Sequence, residues 1–100
     1  MVAGTAPVAP PGEDIVASAH DQMMRCGDIA IAAIRELGAE VRHVVRTRIY
    51  IVDAADAHEV GMAHEAIFGQ HPPASTMVVV AGLLDPAWKI ELEVDAIVDA

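Results

Sequence analysis

The sequence predicts an α+β fold, a mixed β-sheet with two helices packed on one face. Three observations carry this: two segments repeat apolar residues at three- and four-residue steps, four others read as strands, and the last of these strands alternates apolar with charged residues. A sheet with one apolar face is covered on one side only, so both helices belong to the same layer. The order is β, α, β, α, β, β, without internal repeats, in a chain of 100 residues read as one domain over 1–100. At that length surface-to-volume scaling leaves a monomer marginal, and burial by a partner would help.

Each element has its own local reason. Met1 to Thr5 reads as the end of a strand, and the Pro- and Gly-rich connection Ala6 to Asp14 lacks the spacing and the lysine of a phosphate-binding loop. Ser18 is a helix N-cap with Asp21 three residues on, and Met23, Cys26, Ala30, Ile34 and Leu37 form the apolar stripe that Gly38 closes. From His43 to Val52 the chain is rich in β-branched residues, with Val45, Thr47, Ile49 and Ile51 on one face and Val44, Arg46, Arg48, Tyr50 and Val52 on the other. Asp53 to Asp56 caps a second helix with the stripe Ala57, Val60, His64, Ile67 and Phe68, and Gly69, Pro72 and Pro73 stop it. Ala74 to Ala81 is nearly continuously apolar and is expected to be a central strand. After a turn at Leu84–Ala87, Ile90, Leu92 and Val94 face one way and Glu91, Glu93 and Asp95 the other.

Composition narrows the function classes. A formal charge of −9 repels a phosphate backbone, so nucleic acid is not an expected partner. No window approaches the roughly 20 apolar residues of a membrane span and no basic region precedes an apolar run, so a cytoplasmic location without membrane contact is expected. The single cysteine, Cys26, reads as a small buried hydrophobe. His58 and His64 stand six residues apart, about 600 degrees around a helix, on different faces. No metal site or cofactor is therefore expected, and His64 reads as a packing residue. Ser75 and Thr76 have neither a sequence-local base nor nucleophile-elbow glycines, which leaves serine hydrolase chemistry without support. Trp88, beside a turn, is expected at an exposed edge that packs on a neighbouring subunit.

The second sheet face carries Arg46, Arg48 and Tyr50 on one strand and Glu91 and Glu93 on another. Two readings stay open: a solvated face with cross-strand ion pairs, or the lining of a subunit interface.

Four segments in order, Arg46–Asp53, His64–Gly69, Pro73–Thr76 and Ile90–Glu93, resemble the YjgF/RidA family of reactive-intermediate deaminases. The resemblance implies a chorismate-mutase-like domain, assembled as a homotrimer with the sheets inward and with small, often carboxylated ligands bound in clefts between subunits. Relatives usually carry one more strand before the one that starts at Met1. In the deaminases an arginine after Pro-Ala grips the substrate carboxylate, and a glutamate on the last strand positions the attacking water. By that resemblance Glu91 is the catalytic carboxylate and Gly4 lines the cleft; with Arg48 and Tyr50 from the polar sheet face, and Ser75 and Thr76, it makes up the expected binding residues. Ser75 occupies the arginine position, which places the chain in a branch lacking that arginine, with Arg48 as a substitute cation or as an ion-pair partner of Glu91 or Glu93. Gly61, Met77 and Ala3 stand where many relatives carry asparagine, cysteine and serine. The leading expectation is a protein that binds a small metabolite. The alternative is a hydrolase of imines such as 2-iminopropanoate or 2-iminobutanoate. A third reading, RNA cleavage or inhibition of translation, is disfavoured by the charge.

Overall fold

The structure, a computed structural model, describes residues 2–9 and 13–98. Met1, the Pro10–Gly12 part of the first connection and the side chain of Ala3 lie outside the described residues. The elements are β1 (Val2–Thr5), α1 (Ala19–Glu36), β2 (Val44–Ile51), α2 (Ala57–Phe68), β3 (Ala74–Val79) and β4 (Ile90–Ala96). Single 3-10 turns at Val41–His43 and Ala54–Asp56 lead into β2 and α2.

The strands form one mixed sheet in the order β1-β4-β2-β3, antiparallel except for the parallel pair of β2 and β3 that brackets α2. Both helices pack on one face. Met23, Cys26, Ala30 and Ile34 of α1 and Val60, Ala63 and Phe68 of α2 are buried against Ile49, Ile51, Ile90, Leu92 and Val94 of the sheet. Gly27 sets the helix spacing, since a Cβ there would lie 2.5 Å from Cδ1 of Ile67. Among the described residues no helix is long and apolar enough to cross a membrane.

The caps follow the local chemistry. The Asp21 amide donates to Ser18 Oγ at 3.0 Å, and the Ala55 amide donates to Asp53 Oδ1 at 2.9 Å. Gly38 adopts φ 89° just past α1. Leu37, expected on the apolar stripe, is instead 76% exposed because the helix has already ended at Glu36.

Two strand expectations are corrected. β3 is an edge strand, not a central one, because β4 takes the place between β1 and β2, and of its six residues only Met77 is part-buried. At the start of β2 the core face carries Val44, while Val45 is 44% exposed, the reverse of the expected alternation. The pairing of β2 with β4 slips between Val44 and Arg46, and an inserted bulge residue turns the preceding side chain to the other face.

A buried polar clamp, Gln22, was not anticipated from the sequence. Its Nε2 donates to the carbonyls of Val16 and Ala87, each at 3.0 Å, and its Oε1 accepts from the Lys89 amide at 2.7 Å. It thereby fixes α1 to the entrance of β4, two residues ahead of Glu91.

Candidate functional site

Strand register arranges the helix-free face in rows. Val78, Tyr50 and Glu91 are paired across β3, β2 and β4, and Thr76, Arg48 and Glu93 form the next row. Gly4 extends the first row onto β1, since a Cβ on it would lie 3.1 Å from both Cδ and Oε1 of Glu91. The missing side chain is what leaves room for that carboxylate. Gly4, Arg48, Tyr50, Thr76 and Glu91 are therefore brought to one face.

The two glutamates of β4 have different surroundings. Glu93 Oε1 accepts from the Tyr50 hydroxyl and from Arg48 Nε at 3.2 Å, while Arg48 Nη1 donates to Asp95 Oδ2 at 3.3 Å. The bonds from Tyr50 and then Arg48 hold the Glu93 carboxyl below its ordinary range, while the bond to Glu93, followed by burial, raises the Tyr50 phenol above its own. Glu91 is half-buried and makes no hydrogen bond or ion pair among the described residues. Of the two partners proposed for Arg48 it takes Glu93, with Asp95 beside it. Its guanidinium is thus already held by two carboxylates.

Ser75 lies on the opposite, helix-bearing face, in register with Thr47. There the wholly buried Thr47 hydroxyl stands 2.8 Å from His64 Nε2 and 2.8 Å from Ser75 Oγ. The His64 ring lies 4.8 Å from that of Phe68, and burial lowers its pKa. Ser75 thus does have a polar chain behind it, invisible in sequence because its members come from three elements. The one signal was Thr47, a polar residue at a core-facing position of β2. His64, Glu65, Phe68, Gly69, Pro72 and Pro73 line a hollow of about 350 Å³ beside this chain. A larger hollow of about 900 Å³, bounded by Arg35, Arg42, Gln70 and His71 among others, contains none of the anticipated residues.

Trp88 departs from expectation, whereas Cys26 meets it. Trp88 is half-buried and not at an open edge, with its indole N–H buried and unpartnered among the described residues. Cys26 is fully buried as expected, donates to the Thr5 carbonyl at 3.3 Å, and has its thiol pKa pushed up to about 12, chiefly by burial.

Two helices on one face of a mixed four-stranded sheet, with a carboxylate-bearing last strand on the other face, define a class of α+β protein with a characteristic arrangement. The family model described as Endoribonuclease L-PSP matches residues 1–98, and the chain belongs to that family, within the YjgF/RidA superfamily. The crystal structure of Rv2704 from Mycobacterium tuberculosis, a member of the YjgF/YER057c/UK114 family, is 37% identical, with a TM-score of 0.82 over 97% of this chain and 76% of that one. The YjgF gene product of E. coli is 31% identical, with a TM-score of 0.87 over 95% of this chain and 76% of that one. E. coli TdcF, solved with bound serine, is 25% identical, with a TM-score of 0.89 over 97% of this chain and 78% of that one. The protein SCO2049 of Streptomyces coelicolor is 36% identical over 67 residues, 67% of this chain, and the match spans only 50% of that relative's length.

Proposed function

We propose that this protein, as one domain, assembles into a cytoplasmic homotrimer that binds a small metabolite in the clefts between subunits. One subunit presents Gly4, Arg48, Tyr50, Thr76 and Glu91, and its neighbour presents Ser75. The observation that carries this reading is that Ser75 and Glu91 lie on opposite faces of the sheet, so a pocket holding both has to be built from two copies. Edge strand β3 supports it, because Val78 and Val79 are 41% and 57% exposed on an unpaired edge, a liability that a neighbouring subunit would remove. Serine bound to the related TdcF supports a small polar ligand. The charge of −9 argues against RNA as substrate despite the family description.

Sedimentation velocity, together with a chemical-shift titration with serine, tests the reading. The expected result is a threefold mass and a saturable shift of the Tyr50 signals. A monodisperse monomer would remove the site.

A second reading, hydrolysis of an enamine or imine, is favoured by one specific observation: Glu91 is unpartnered among the described residues where Glu93 is occupied, and so is available to orient a water. Release of ammonia from enzymatically generated 2-aminoacrylate measures this. A rate equal to that of Glu91→Ala rejects it.

A further inference from the structure

We propose that Ser75, Thr47 and His64 act as one reversible hydrogen-bond relay that anchors an uncharged carbonyl, amide or imine group of the ligand, so that the site selects against a carboxylate at this point. The inference rests on the intersubunit-cleft reading above and specifies what one wall of that cleft recognises.

The geometry imposes a direction on the chain. A hydroxyl has one proton, yet Thr47 Oγ1 is 2.8 Å from both Ser75 Oγ and His64 Nε2, so it donates to one and accepts from the other. Thr47 is 0% exposed, so water does not compete for either bond. With the proton on Nε2, His64 donates to Thr47, Thr47 donates to Ser75, and Ser75 has its own hydrogen to offer outward. With the proton on the other ring nitrogen the chain reverses, Ser75 donates inward, and its lone pairs face outward. A change of imidazole tautomer thus switches exposed Ser75 between donor and acceptor without changing any charge. This adaptability suits a C=O or C=N–H group.

Charge argues in the same direction. Arg46 and Arg48 are in register with Ala74 and Thr76, so both cations are on the far side of the sheet from Ser75. Arg48 is in addition held by Glu93 and Asp95. Glu65 lines the neighbouring hollow with His64, so a carboxylate entering through that hollow meets a like charge. Burial of the ring also opposes the imidazolium form that would attract an anion. A carboxylate would find neutral hydroxyl bonds in place of the stronger charge-assisted kind.

The test compares two probes on the intact chain at neutral pH: pyruvamide, which is uncharged, and pyruvate, its carboxylate counterpart. Binding is followed by chemical-shift titration, with the His64 ring nitrogens observed directly. Pyruvamide is expected to bind about tenfold more tightly than pyruvate and to shift Nε2 of His64 through Thr47. Ser75→Ala, at an exposed position that leaves folding intact, should weaken pyruvamide by about tenfold, and Ser75→Arg should invert the preference. Tighter binding of pyruvate by the unaltered chain, or an unchanged pyruvamide affinity in Ser75→Ala, overturns this inference and leaves the cleft reading standing. Failure of both probes to bind also overturns this inference, whereas the cleft reading falls separately, on a monomeric mass.

Discussion

Replacing Gln22 by Met tests what holds the entrance of β4, and hence Glu91, in place. The two side chains have similar length, flexibility and helix preference, so packing and propensity are nearly kept while all three hydrogen bonds are lost. Gln22 is 1% exposed, which leaves no water to replace it from the α1 side. Each bond is worth about 0.5–1.5 kcal/mol net, and three give about 2–4 kcal/mol. Because Ala87 is exposed and Lys89 part-exposed, those backbone groups can recover water on relaxing, which argues for the lower half of that range. At about 4–8 °C per kcal/mol for a domain of this size, the thermal midpoint should fall by roughly 8–25 °C. Thermal unfolding at fixed protein concentration, so that assembly does not confound the comparison, gives the total. Hydrogen exchange at the Lys89 amide gives the local part and should accelerate far more than at Leu92. A loss below about 1 kcal/mol, or a Lys89 amide as protected as before, would refute the clamp.

Three more outcomes are expected. On the imine-hydrolysing reading, Gly4→Ala pushes the Glu91 carboxylate a few tenths of an ångström from its 3.1 Å contact, lowering ammonia release from 2-aminoacrylate about tenfold with little change in melting temperature; an unchanged rate would detach Glu91 from the reaction. Gly27→Val drives a branched side chain into Ile67 and should destabilise by about 1–3 kcal/mol in urea unfolding, whereas Gly27→Ala, relieved by rotation of the Ile67 terminus, stays within about 1 kcal/mol. Acidification should destabilise in two windows. Below His64's ordinary value of 6.5 the unfolded chain takes up a proton that the folded ring resists, and below Glu93's ordinary value of 4.5 the folded carboxylate is held ionised by Tyr50 and Arg48 while the unfolded one protonates. Stability therefore rises with pH through both windows; His64→Leu should flatten the upper one, and melting curves that improve on acidification would contradict both assignments.

Much of the architecture was legible because it depends on periodicity. The alternation of Ile90, Leu92 and Val94 against Glu91, Glu93 and Asp95 assigned the two faces of β4 correctly, and the Ser18, Asp53 and Gly38 signals marked element ends that the structure keeps. The expectation for β3 failed for a physical reason: an apolar run reports that side chains seek burial, not which neighbour supplies it. Val78 and Val79 are as apolar as any core strand, yet strand order puts them on an edge. The Val44 and Val45 reversal had the same origin, since a one-residue bulge leaves no mark in local hydropathy.

By itself, then, the sequence determined the α+β class, the one-sided sheet and the family, all of which follow from local pattern and residue order. Only the tertiary structure decided that Glu93 is the glutamate held by Tyr50 and Arg48 while Glu91 has no such partner among the described residues, that Arg48 is committed to Glu93 and Asp95, and that Ser75 connects through Thr47 to His64. These depend on register between strands distant in the chain, where a shift of one residue moves a side chain from one face of the sheet to the other.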